Sequence, residues 1–284
     1  KTWLKEGLVD VLIGQAFSGP ELLDSTIDFR PLIKAAKGTK CRVHAALQSH
    51  VDSDRLGEAT IEMVRGAASN YWAQGVDGIY LAHWFGNWPY QASFYEKLRE
   101  LPYPEIMAAR DKIYYVPTVT GRYPEPATEP GMGMQLPAYL EKGRKAKVSL
   151  SISDDLKRWG KVGRVHEVLL RVRVMGHTER DRLRFIFNGR ELPVALLRKI
   201  NELYRMSAPR YRTGSGYWYA FKLDAKHWPK KGDNKLEIEL LRRDPQALPE
   251  IFVRDVELDI KYLMGRNYHR GQDVDLGPYE ASGI

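Results

Sequence analysis

The segment Asp52–Ala82, DSDRLGEATIEMVRGAASNYWAQGVDGIYLA, carries the decision between fold classes. Leu56, Ile61, Val64, Ala68 and Trp72 recur at helical spacing and predict a helix over Asp52–Gln74. Ser53 or Asp54 supplies its N-cap and Gly75 its stop. Val76–Ala82 (VDGIYLA) then changes period to a short apolar run, as a buried parallel strand requires. The same step stands twice upstream. Val9–Gln15 (VDVLIGQ) reads as a strand, Asp28–Lys37 as a short helix ended by Gly38, and Cys41–Leu47 (CRVHAAL) as the next strand. Ala92–Leu101 is a third helix. The order β-α-β-α-β-α predicts a parallel sheet with right-handed crossovers.

Beyond residue 138 the period becomes two. Lys147–Ile152, Val165–Val174, Leu183–Phe187, Tyr217–Leu223, Lys235–Leu241 and Val256–Tyr262 all read as strands. Asn188-Gly189 and Gly232-Asp233-Asn234 are tight-turn signals between them. Short, closely spaced strands without long helices predict an antiparallel β-sandwich. Leu196–Tyr204 reads as a short helix set into a loop, and Lys112–Val119 fits either the last strand of the first part or the first of the second. The organisation is α/β over 1–120, a proline-rich connector over 121–138, all-β over 139–264 and a polar tail over 265–284.

The formal charge of +8 over 284 residues is distributed unevenly. Up to Thr120 there are 13 Lys+Arg against 14 Asp+Glu, and from Gly121 onward 31 against 22, so the basic excess lies wholly in the β part. Those cations are spread along strands, with no helix-turn-helix or RNA-binding signature, which argues against a nucleic-acid partner. Arg171, Arg173, Arg242 and Arg243 read as a solvated strand face or, more sharply, as a surface for an acidic polymer. The lone Cys41 excludes an internal disulfide and a cysteine-based zinc site. No His/Asp/Glu set has metal-ligand spacing, so no metal or other cofactor is expected. No apolar run reaches the ~20 residues of a membrane helix. The chain opens on Lys1, with Trp3, Leu4 and Leu8 already in a helical stripe, so the expectation is a piece of a longer protein.

Two architectures fit the first part: an open doubly wound sheet and a (β/α)8 barrel. No glycine-rich phosphate loop follows any strand, which leaves the dinucleotide-binding version without support. The segment WLKEGLVDVL from Trp3, with YWAQGVDGIYL from Tyr71, resembles the closing strands of glycoside-hydrolase-like (β/α)8 proteins of bacteria. The β part is similar to a galactose-binding-like jelly roll. The resemblance implies that Val9–Gln15, Cys41–Leu47 and Val76–Ala82 are the last three βα units of a barrel. It also implies a carbohydrate-active, secreted protein, with earlier strands upstream of Lys1.

A barrel places its chemistry at the C-terminal ends of its strands. Gln15, Gln48, His50, His83, Trp84, Asn87 and Trp88 stand there. Indole rings stack on sugar faces and amides exchange hydrogen bonds with hydroxyls, so these seven are the expected carbohydrate-binding residues. The acid and base of a glycosidase are missing. No glutamate follows Leu47, while Asp52 and Asp54 suit helix capping, and Asp10 and Asp77 precede their strands and suit loop backbone. Catalytic carboxylates would therefore lie upstream, or the protein binds carbohydrate without turnover. Trp159, Trp218 and Trp228 are the candidate sugar platform of the β part.

Overall fold

The computed structural model describes residues 2–15, 23–51, 57–82, 92–118, 135–201 and 216–264. The first part runs α1 (Thr2–Lys5), β1 (Val11–Gly14), α2 (Arg30–Ala36), β2 (Arg42–Leu47), β3 (His50–Val51), β4 (Gly57–Glu58), α3 (Ile61–Gln74), β5 (Gly78–Leu81), α4 (Ala92–Glu100), α5 (Pro104–Met107) and β6 (Lys112–Val116). The second runs β7 (Ala138–Tyr139), β8 (Lys145–Ile152), α6 (Leu156–Lys161), β9 (Val165–Met175), β10 (Arg182–Phe187), β11 (Arg190–Glu191), β12 (Leu197–Asn201), β13 (Gly216–Lys222), β14 (Gly232–Arg242) and β15 (Phe252–Tyr262).

The expected barrel is overturned. The described residues are 41% strand and 21% helix, mostly in antiparallel sheets, and the parallel sheet has only three strands, in the order β1-β2-β5. The next strand, β6, does not join it. It pairs antiparallel with β15 inside the second part's sheet. Barrel closure is a property of strand number and shear, and neither is written in a local run of apolar residues. Two finer expectations also change. Helix α3 begins at Ile61, because the Thr60 hydroxyl accepts the Met63 N–H at 3.4 Å while Gly57–Glu58 pairs with His50–Val51 as a small hairpin. The expected helix at Leu196–Tyr204 is instead a 3₁₀ turn at Val194–Leu196 followed by β12, with 202–204 outside the described residues.

The second part is two antiparallel sheets around one core. Four strands lie in the order β11-β10-β14-β8, and β12-β13-β9-β15-β6 form the other sheet, with β7 on β15. Alternation decides which side chains enter. Val168, Leu170, Val172 and Val174 of β9 meet Leu236, Ile238 and Leu240 of β14 across the core. The turns are built by asparagines. Asn188, at φ 50, donates to the Asn234 side-chain Oδ1 at 2.8 Å, and the buried Asn234 amide donates to the carbonyls of Lys230 and Gly232. On β8 the Gln135 side chain takes the place of a neighbouring strand. Its amide accepts the Ser149 N–H at 2.6 Å and donates to the Ser149 carbonyl at 3.0 Å.

Strand β6 belongs to two cores at once. Tyr114 and Val116 face the sandwich, while Ile113 and Tyr115 face α3, Met63, Val64, Ala67 and Tyr71. Helix α3 can lie on β6 only because position 66 is glycine. A Cβ there would stand 2.4 Å from the Ile113 carbonyl oxygen. Asn70 of the same helix donates to Ser25 O at 2.9 Å and Ser151 O at 2.7 Å, tying it to β8. At the start of β6, buried Lys112 reaches Asp154 at 3.0 Å and Tyr114 donates to the same carboxylate at 2.9 Å. Burial lowers the Lys112 pKa and raises that of Asp154. Their mutual attraction opposes both shifts.

Substituting Gly66→Ala is expected to destabilise the protein by roughly 1–3 kcal/mol through overpacking against β6. The midpoint of urea unfolding measures it, and an unchanged midpoint would show that α3 can retreat without cost.

Candidate functional site

Both α2 and α3 lie on one face of the parallel sheet, over Ala45 and Leu47. The opposite face presents Ile13 and Tyr80, exposed to 45% and 47%, with half-buried His44 between them. Asp77 bonds backbone, but of a strand and not of a loop, accepting the Val43 N–H of β2 at 2.8 Å. At the C-terminal edge, Gln15 is exposed after β1, Gln48 is buried after β2, and His50 is half-buried in β3 with Ser49 Oγ 2.6 Å from its Nδ1. Register pairs Gly14 with Ala45, so Gln15 and Gln48 leave neighbouring strands at the same end of the sheet. His83, Trp84, Asn87 and Trp88 lie outside the described residues, as do Asp52 and Asp54.

The tryptophans of the β part do not form a platform. Trp159 and Trp228 are partly buried against the sandwich core, and the indole of Trp228 fills the space where Gly160 lacks a Cβ. Trp218 is half-buried on the outer face of its sheet, with the Arg173 guanidinium 5.9 Å from its ring.

Arg171 and Arg173 are not a solvated face. Both are buried beside carboxylates of β15: Arg171 lies 3.3 Å from Asp259 and Arg173 3.5 Å from Asp255. Alternation puts Asp255, Glu257 and Asp259 on one side of β15, and register sets Glu257 between Arg171 of β9 and Tyr115 of β6. Burial, with the neighbouring Asp259 charge, pushes Glu257 up to about 8. Burial also raises Asp259 to about 6, against the pull of Arg171 and Lys261. The sequence pattern VELDIKY shows the alternation, but not that this face is covered.

A hollow of about 560 Å³ lies at one end of the sandwich, between the β9–β10 and β14–β15 connections. Met175, His177, Thr178, Leu248, Glu250 and Phe252 line it. Its walls are fixed by polar bonds. Arg243 donates to the carbonyls of Gly176 and Pro249 and to Asp181. Asp181 also accepts the N–H groups of Thr178 at 2.8 Å and Asp244 at 2.6 Å. Burial acts to raise the Asp181 carboxyl, but these N–H groups and Arg243 outweigh it and hold it low. Gly176 sits at φ +64, and a Cβ there would stand 2.0 Å from the Glu250 carbonyl, so the two loops meet only through a glycine. Below, His177 is buried with Tyr219 Oη 2.6 Å from its Nε2 and the rings of Tyr217 and Tyr219 edge-on to it. Burial raises the Tyr219 pKa, so the phenol stays neutral. Above, Leu248 is 97% exposed.

Of these residues only Arg243 is singled out by the sequence, as part of a basic surface, whereas its guanidinium is bonded to Gly176, Pro249 and Asp181. The signal present in the sequence was two turn-rich connections, Gly176–Asp181 and Asp244-Pro245 to Pro249.

Comparison of the chain with protein-family models gives no match, and comparison with curated proteins gives none. With the barrel overturned, neither the fold nor these comparisons supports the resemblance to glycoside hydrolases, or the carbohydrate-binding and secretion readings drawn from it. Among the described residues no helix is long and apolar enough to cross a membrane.

The Glu257 shift fixes a sign. A carboxyl whose folded pKa is raised keeps a proton that the unfolded chain has lost, so its contribution to stability falls as pH rises from about 4.5 to about 8. Stability is therefore expected to drop by roughly 2–4 kcal/mol between pH 5 and pH 8.5. Glu257→Gln should flatten that slope between pH 6 and 8. Denaturant unfolding across pH checks both, and a slope unchanged in the variant would exonerate Glu257.

Proposed function

We propose that the protein is a small-ligand-binding protein whose site is the hollow between Gly176–Thr178 and Leu248–Phe252. The observation that carries this reading is a concavity of about 560 Å³ whose two walls are clamped together by Arg243 and Asp181. Ligand sites are concave, largely pre-formed and about this size, with a mainly apolar lining and a few fixed polar groups. Here Met175, Phe252 and Leu248 supply the apolar surface and Thr178 and Glu250 the polar groups. The Phe252 ring is backed by the ring of exposed Tyr139, 5.4 Å away centre to centre. The sandwich acts as the rigid frame, and the chemistry asked of the site is recognition.

Leu248→Ser tests the reading. Leu248 is exposed and makes no core contact, so the variant should unfold within about 0.5 kcal/mol of the parent. A fragment that shifts the amide resonances of Gly176 and Thr178 in the parent should bind severalfold more weakly to the variant. Full retention of binding by Leu248→Ser would place the ligand elsewhere.

A further inference from the structure

We propose that the ligand of this hollow is a small organic ammonium ion carried on an apolar body; the proposal rests on the hollow being the binding site. The argument is a charge inventory of its walls. No lysine or arginine is among the residues that line the hollow. Arg243 holds Gly176 O, Pro249 O and the Asp181 carboxylate, and Arg180 donates to Gln246 Oε1 at 3.0 Å. Asp181 and Asp244, the carboxylates that fix the walls, are committed. Asp181 is held by Arg243 and two backbone N–H groups. Asp244 accepts from Thr178 Oγ1 at 3.3 Å and from the Gln246 N–H at 3.0 Å.

Glu250 differs. It lines the hollow, is exposed, and forms no ion pair with any described residue. No lysine or arginine lines the hollow to meet an anionic ligand and His177 is buried against Tyr219, whereas an ammonium group meets Glu250, the one carboxylate among the lining residues. The remaining lining, Met175, Leu248 and Phe252, suits the ligand's apolar body, and an aromatic face also attracts a cation. Thr178 and Gln246 add polar groups to the lining, with the Thr178 hydroxyl hydrogen committed to Asp244, which leaves that oxygen able only to accept.

Three probes with one apolar body and different heads separate the possibilities: 2-phenylethylamine, 2-phenylethanol and phenylacetate. Each is titrated into the whole protein while the amide resonances of Gly176, Thr178 and Leu248 are followed. The amine is expected to bind about two- to fivefold more tightly than the alcohol and the carboxylate, the range for an exposed ion pair. That advantage should shrink in high salt. Glu250→Gln should abolish it while leaving the affinity for the alcohol unchanged. If phenylacetate binds as well as the amine, or the amine keeps its advantage in Glu250→Gln, the ammonium assignment is overturned and the hollow stands as a site for another class. If none of the three moves these resonances, the hollow itself is overturned as the binding site.

Discussion

The whole molecule depends on one strand having two faces. β6 gives Tyr114 and Val116 to the sandwich and Ile113 and Tyr115 to the helical side, so one five-residue strand closes both cores. A strand buried on both faces must satisfy its backbone along its edges. One edge pairs with β15, and on the other the Ser25 hydroxyl donates to the Tyr115 carbonyl at 2.6 Å. The α/β segment and the sandwich are thus not two bodies joined by a tether at this point. They share a wall, and the close approach at Gly66 and the Asn70 bridge are the terms on which they share it.

Local pattern made much of this architecture legible. Period-two alternation in Val165–Val174 and Val256–Tyr262 marks strands that form where the pattern places them, because alternation is the same physics that sends Val172 inward and Arg171 outward. The apolar runs near Val11, Arg42 and Gly78 mark parallel strands for the same reason. What the pattern could not carry was the assembly of those strands. A run such as VDGIYLA serves a closed barrel or a three-stranded sheet equally, since the difference lies in partners far away in sequence. The fate of β6 shows it best: its alternation is weak because both faces are apolar, and only the register with β15 settles where it goes.

The sites divide in the same way. Arginines at alternate positions of β9 read as a solvent face, yet the face is buried and its charges are answered by Asp255 and Asp259 on a strand more than eighty residues away. No single segment contains that pairing. The hollow is less visible still, since it is a shape between two connections whose glycine, histidine and glutamate are unremarkable in isolation. Turn composition marks the loops, while their meeting depends on the sandwich bringing the ends of β9 and β14 to one place.

The Gln135 amide on β8 has a consequence for how copies of this protein can meet. An eight-residue edge strand without proline is ordinarily a template on which another chain can add. Here the central N–H and C=O of that template, at Ser149, are occupied by a side chain, and the next outward carbonyl, at Ser151, by Asn70. Growth of the sheet across β8 must first evict both amides. The barrier to strand-by-strand assembly is therefore carried by two neutral side chains, and it survives conditions of salt or pH that would silence the lysines along the same strand.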